Sequence, residues 1–308
     1  MENLRKGTIK ASDKNEFTIL LVGETGVGKT CVLDLIANVL AGHRPDEYVD
    51  THDRDNEAGG PQSQSQTNSA IVYEYMSKNG IKVRIVDTPG LADTRGLAQD
   101  QQHKASIAKA IHDHVVTVNG VIILANGTNP RLGVATDYAL TTLTSIFPRT
   151  LSDNIAILFT NISSPLSWNF DQECLPSVLR DARRFTLDNP VSMQRKFDKL
   201  KLTEKSEHTI SMLRKTVRQG EGAALDTLVD LFDWLHDCEP QPTKDILTLY
   251  KQTQTIETSI QNALARMRQA KEKKGDLEKI KHEIEKANVV SIYKCIDDTD
   301  ADLKCAEH

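Results

Sequence analysis

The run GETGVGKT, Gly23 to Thr30, constrains this chain more than any other feature of it. It follows directly on Phe17 to Val22 (FTILLV), a short apolar run ended by glycine that reads as a buried strand. After it, Val32, Leu33, Leu35, Ile36, Val39 and Leu40 form one apolar helical face that stops near Gly42, a C-terminal cap. Strand, glycine loop and helix in that order give the pattern GxxxxGK[ST] a mechanism. Backbone N–H groups of the loop and of the helix start surround phosphates, where side chains would obstruct them. The loop residues Glu24, Thr25, Gly26, Val27 and Gly28, and Cys31 just inside the helix, are therefore candidate nucleotide contacts. Lys29 is expected to reach the β- and γ-phosphates as a point charge, and Thr30 to offer its hydroxyl to Mg2+.

At 308 residues the chain exceeds one minimal nucleotide-binding domain, so a core domain with an appended region is expected. Its 38 basic and 43 acidic residues give a formal charge of -5, and no basic stripe tracks a phosphate backbone, which argues against nucleic acid as a partner. Five cysteines, odd in number, widely spaced and without a CxxC pair, suggest neither a disulfide framework nor zinc; a reducing cytoplasm fits them. No apolar run approaches the roughly 18 residues that a spanning helix needs. Cys305 stands fourth from the end, but Glu307 and His308 match a prenylation box poorly. Residues 1–16 read as a charged, mobile arm.

Between Gly42 and Ser69 the hydrophobic periodicity is lost in a long stretch of polar residues, Gly and Pro. A loop of that length between a first helix and a second strand reads as a nucleotide-gated segment. Thr67 is the candidate hydroxyl that closes on Mg2+ when a γ-phosphate is present; a solvated loop threonine is the alternative. Ala70 to Met76 and Ile81 to Val86 are β-rich runs separated by Lys78, Asn79 and Gly80, which predicts a hairpin. The second run ends in DTPG, where Asp87 can hold Mg2+ through water and Gly90 can donate its N–H to a γ-phosphate.

Taken with DTPG, the phosphate loop describes a GTPase-like chain. Its details resemble the branch of septin, chloroplast Toc and immunity-associated (GIMAP-type) GTPases, with the nearest likeness to fungal GIMAP-like proteins. The residues that carry the resemblance are GETGVGKT, the SQT at Thr67, DTPGLADTRG from Asp87 to Gly96, and the stretch from Asn119 to Pro148. It covers roughly residues 17–189. What it implies is an α/β fold, a Ras-like P-loop GTPase three-layer domain with a mainly parallel sheet, followed by a helical C-terminal extension. It further implies Mg2+-dependent turnover of GTP and a nucleotide-dependent homodimer paired across the nucleotide face; the alternative is a nucleotide-dependent assembly scaffold with little intrinsic hydrolysis. Leu91 stands where Ras-like enzymes carry a water-orienting glutamine, and an apolar residue cannot do that work. Turnover would then be slow, or a second protomer would donate the missing group, with Arg95 as the candidate finger and a solvated switch residue as the alternative.

Base recognition departs from the family pattern. After the strand Ile155 to Phe159 the chain reads Thr160-Asn161-Ile162-Ser163, and Ser163 stands where guanine-specific proteins place an aspartate. Losing a carboxylate there should cost discrimination, so ATP stays open beside GTP. Asn161 can still present an amide to the base, and FTLDNP puts Asn189 where the family's last base-contacting loop falls. Trp168 is a candidate to stack on the base, or else an anchor of its loop to the core.

From about Val191 strand signals vanish. Met193 to Lys201, Glu204 to Arg218 and Ala223 to Asp237 read as helices, and Leu228, Leu231, Phe232 and Leu235 make a core-facing stripe. After Pro240 and Pro242 a long helix is expected over Ile246 to Asn288, folded back on the domain. The domains expected are thus 17–202 for the nucleotide-binding part, 203–290 for the helical extension and 291–308 for a polar tail.

Overall fold

The computed structural model describes residues 14–53, 69–90, 97–131, 137, 149–203 and 206–305. Its centre is a six-stranded sheet. β1 (Glu16–Gly23), β3 (Lys82–Asp87), β5 (Gly120–Asn126), β6 (Ile155–Thr160) and β7 (Arg183–Leu187) run parallel, and β2 (Ile71–Met76) pairs antiparallel with β3 at one edge, in the order β2-β3-β1-β5-β6-β7. The expected hairpin is therefore present, its turn closed by Gly80 at φ 78°. A further pairing, β4 (Thr117–Val118) with β8 (Gln241–Pro242), lies outside this sheet. The fold is an α/β, Ras-like P-loop arrangement with a mainly parallel sheet.

Strand alternation decides what each face buries. Along β1, Leu20 and Val22 join Ile107 and Ile111 of α2 (Leu97–His114) in one core, while Phe17, Ile19 and Leu21 join the other. That second core takes Val32, Leu33, Leu35 and Ile36 from α1 (Lys29–Ala41), Val191 from α3 (Pro190–Thr203) and Leu228, Leu231, Phe232 and Leu235 from α4 (Glu207–Asp237). Helices thus cover both faces of a sheet whose central strands read as continuous apolar runs, as parallel strands buried on both sides should. The cap at Gly42 is realised in the left-handed conformation, φ 70°, with its N–H on Val39 O and that of His43 on Asn38 O.

Two helical expectations are corrected. The segments expected as separate helices up to Arg218 and from Ala223 are one helix, α4, with Gly220 and Gly222 inside it. Its buried stripe continues through them from Val217 to Ala224 and Leu228, and tertiary packing outweighs the glycine penalty. Gly220 also lets α3 come close: a Cβ there would meet Met193 Sδ at 2.7 Å. The last helix, α5 (Ile246–Cys305), runs beyond Asn288.

The chain divides into two compact units, Met1–Lys251 and Gln252–His308. α4 and Ile246 belong to the first, so the expected boundary at 202 falls inside it. The second is helical as far as it is described, and its Ile256, Ile260, Leu264, Met267, Leu277, Ile280 and Ile284 are each half or more exposed. No helix among the described residues is long and apolar enough to cross a membrane.

Leu231 is fully buried in the core that α4 shares with β1 and α1. Leu231→Ala should lower unfolding free energy by about 2–5 kcal/mol in denaturant titration. A loss below about 1 kcal/mol would mean that α4 is not an integral part of the nucleotide-binding unit.

Candidate functional site

β1 delivers the chain into the loop, and Gly26 (φ 77°) and Gly28 (φ 98°) take left-handed conformations that other residues rarely adopt. Gly28 is also the N-cap of α1 and brings no capping side chain, so the first amides of the helix have no side-chain oxygen of their own. A concave surface of N–H donors at a helix start is an anion site. Thr160 ties this loop to the sheet by donating to Val27 O at 3.0 Å.

Lys29 is buried. Its Nζ donates to Gly23 O at 3.1 Å and Glu24 O at 3.0 Å. Burial depresses the amine to about 8, with Asp87 and Glu24 holding it up. The Glu24 carboxyl is raised by its own burial, with Lys29 opposing.

Asp87 stands at the C-terminal end of β3, where Thr88 Oγ1 fixes the turn by donating to Leu21 O at 2.7 Å. Thr30 Oγ1 donates to Asp87 Oδ2 at 3.3 Å, while Asp87 Oδ1 is buried with no hydrogen-bond partner. Burial raises this carboxyl, and Lys29 and Thr30 oppose the rise. A hydroxyl and a half-satisfied carboxylate, both hard oxygen donors, fit Mg2+. Gly90 comes so close to the loop that a Cβ on it would meet Thr25 Cα at 2.6 Å and Thr25 N at 2.8 Å; only glycine fits there.

These groups open on one cavity of about 780 Å³. Thr25, Gly26, Val27, Gly28, Lys29, Thr30, Cys31, Asp87 and Gly90 line one end, and Asn161 and Asn189 line it as well. The strand register explains the latter pair: Thr160 is paired with Leu187, so the residues following each strand, Asn161 and Asp188, emerge side by side. Ile162 N donates to Leu187 O, and Asn161 takes a positive φ of 62°. Asn189 Oδ1 accepts from Val191 N at 2.9 Å, leaving Nδ2 buried and without a partner.

Trp168 is not among the cavity residues. Its ring lies against Phe159 (centroids 4.6 Å apart) on the core, and Nε1 donates to Phe170 O at 2.8 Å, so it anchors its loop. The backbone of Glu24 holds Lys29, but its side chain does not line the cavity. Thr67 and Arg95 lie outside the described residues, as does Leu91.

Sequence reasoning missed several lining residues, Asp188, Asp34, His52 and Arg195 among them. Asp188 immediately precedes Asn189 in FTLDNP and was the legible one; burial raises its carboxyl while Lys196 opposes. Asp34, His52 and Arg195 carry no motif. Asp34, fully buried on α1, accepts from Thr51 N and Thr51 Oγ1 and contacts His52 Nδ1 and Arg195 Nη2. One turn later Asn38 holds Val49 through both its N–H and its carbonyl. Together they pin the start of the long polar loop to α1. Asp34, Asp50 and His52 offer three ligand atoms within 4.8 Å of one another, but Arg195 pairs with both carboxylates and answers their charge.

The AIG1 family model matches residues 17–223. The chain belongs to the AIG1 family. Among curated proteins it is similar to GTP-binding protein A of Dictyostelium discoideum, 26% identical over 153 residues, which is 50% of this chain and 30% of that protein. The AIG1 chain thus spans less than a third of that relative's length. Solved structures that resemble it include Toc33 from Arabidopsis thaliana in complex with Mg2+ and GMPPNP (14% identity, 78% of this chain and 86% of that one, TM-score 0.41). Another is the FeoB G-domain from Methanococcus jannaschii (15% identity, 62% and 99%, TM-score 0.33). Neither likeness adds to the family assignment.

The depressed Lys29 sets a pH dependence. In the ligand-free AIG1 chain the amine loses its proton near pH 8, and bound phosphates raise it again, so above that pH binding must take up a proton. Affinity for a nucleoside diphosphate, measured calorimetrically, should be flat up to about pH 8 and fall above it. Flat affinity up to pH 9.5 would contradict this placement of Lys29.

Proposed function

We propose that this chain is a Mg2+-dependent GTPase that works as a nucleotide-gated dimerising switch. The observation that carries the reading is the composition of one cavity: Lys29, Thr30 and the half-satisfied Asp87 meet the glycine loop, with Asn161, Asp188 and Asn189 lining the same space. A triphosphate on the loop amides would draw Lys29 off the Gly23 and Glu24 carbonyls and onto phosphate oxygens, where its charge is better answered. Thr30 and Asp87 would hold Mg2+, which when bound neutralises charge developing on the transferred phosphoryl group. Water would be the acceptor of that group, giving GDP and phosphate.

Guanine is the base that the cavity supports best, although Ser163 supplies no carboxylate. Asp188 can accept from the N1 and N2 donors of guanine, and the unpartnered Asn189 Nδ2 can donate to its O6 or N7 acceptor. Adenine offers no such pair of donors to a carboxylate. The name of the Dictyostelium relative, GTP-binding protein A, agrees. Thr67 as a Mg2+ ligand, Arg95 as a group donated across a dimer, and a place near the fungal GIMAP-like proteins rest on the sequence motifs, and we retain them as part of this reading.

The test is Mg2+-dependent binding and hydrolysis of GTP and ATP measured side by side. GTP should be preferred by at least about tenfold, and Asp188→Asn should bring the two within a few-fold of each other, as an unpaired polar edge requires. Equal handling of GTP and ATP by the parent chain would overturn the base assignment, and an unchanged preference in the variant would remove Asp188 from it.

A further inference from the structure

Thr25 occupies a loop position at which the phosphate-binding pattern asks for no particular side chain. It lines the cavity, yet its hydroxyl oxygen is sealed from solvent and has no hydrogen-bond partner. A buried hydroxyl without a partner costs stability that nothing in the loop itself returns. Its neighbours are differently placed: Thr30 donates to Asp87, Thr88 to Leu21 O and Thr160 to Val27 O. Among these four hydroxyls of the loop and the strand ends beside it, Thr25 is the uncommitted one.

Its position in the cavity is fixed by Gly90. A Cβ built on Gly90 would lie 2.3 Å from Thr25 Oγ1, so the hydroxyl rests against the segment that follows Asp87, the Mg2+ candidate. In a GxxxxGK[ST] loop the backbone amides surround the phosphates and the lysine reaches the β- and γ-phosphates, while the segment after the strand-end aspartate also meets the outermost one. We propose that the Thr25 hydroxyl donates to an oxygen of the γ-phosphate and so sets the chain's preference for a nucleoside triphosphate over a diphosphate. The inference deepens, and rests on, the reading of the cavity as a nucleoside triphosphate site. Thr25 lines the cavity, so a change of its side-chain rotamer is the movement the proposal asks of it. Since Gly90 lies directly on Thr25, the same contact reports the third phosphate to the backbone after β3. Diphosphate, lacking the acceptor, leaves the hydroxyl unsatisfied.

The experiment compares affinities of the full chain for a non-hydrolysable GTP analogue and for GDP, both with Mg2+, in the parent, Thr25→Val and Thr25→Ser. Val keeps the shape and removes the oxygen; Ser keeps the oxygen. Thr25→Val should lower affinity for the analogue about tenfold, the scale of a hydrogen bond to a charged acceptor, and leave GDP affinity unchanged. Thr25→Ser should keep the parental ratio. Thr25→Ala removes the same oxygen with less apolar bulk, and it serves as the second reading if the Val variant does not fold. An unchanged ratio in Val or Ala, or an equal loss in Ser, would overturn the role of Thr25 while leaving the cavity's function standing. A parent chain that bound neither nucleotide would overturn both.

Discussion

A buried ammonium organises this molecule. Lys29 sits at the start of α1 with its charge answered by two loop carbonyls and the nearby Asp87, and burial pulls its proton off near pH 8. Such a group is stable only where the surrounding backbone is held rigidly, and much of the fold supplies that rigidity. β1 presents the loop from the middle of a sheet covered on both faces, and Thr160 ties Val27 to the end of β6. Gly90 closes against Thr25 from the end of β3. Each contact reaches the same few residues from a different strand end, which is where ligands bind in open parallel sheets.

The unsatisfied atoms say what the site waits for. Asp87 Oδ1, Thr25 Oγ1 and Asn189 Nδ2 are buried without partners on residues that line one cavity. An acceptor, a hydroxyl and an amide donor left open in this way suit a cation, a phosphate oxygen and a base edge in turn. By contrast, the fully buried Asp34, which lines the same cavity, is satisfied several times over; it and Asn38 fasten residues 49–52 to α1. Residues 49–52 are therefore held beside the cavity, which His52 and Asp53 help to line.

What was legible in the sequence was what the chain makes locally. The strand, glycine loop and helix from Phe17 to Gly42 are contiguous, and the hairpin with Asp87 at its end follows from a turn and an alternating pattern. Residues brought together by strand register were harder to see. Asp188 becomes Asn161's neighbour only once β6 and β7 pair, and Arg195 reaches Asp34 only because α3 lies near α1. Trp168 stayed open between two roles because an aromatic residue in a loop reads the same whether it stacks on a ligand or on Phe159. The helix expected to end at Arg218 runs on through Gly220, whose close approach to Met193 exists only in the folded chain.

The account stands or falls on Lys29 and the cation beside it. The direct measurement is GTP hydrolysis by the parent chain and by Lys29→Ala, with and without Mg2+, followed across a range of protein concentrations. The account predicts Mg2+-dependent turnover that rises with concentration in the parent and is abolished in the variant, whose thermal unfolding should remain cooperative. Unchanged turnover in Lys29→Ala, or parental turnover indifferent to Mg2+, would contradict it.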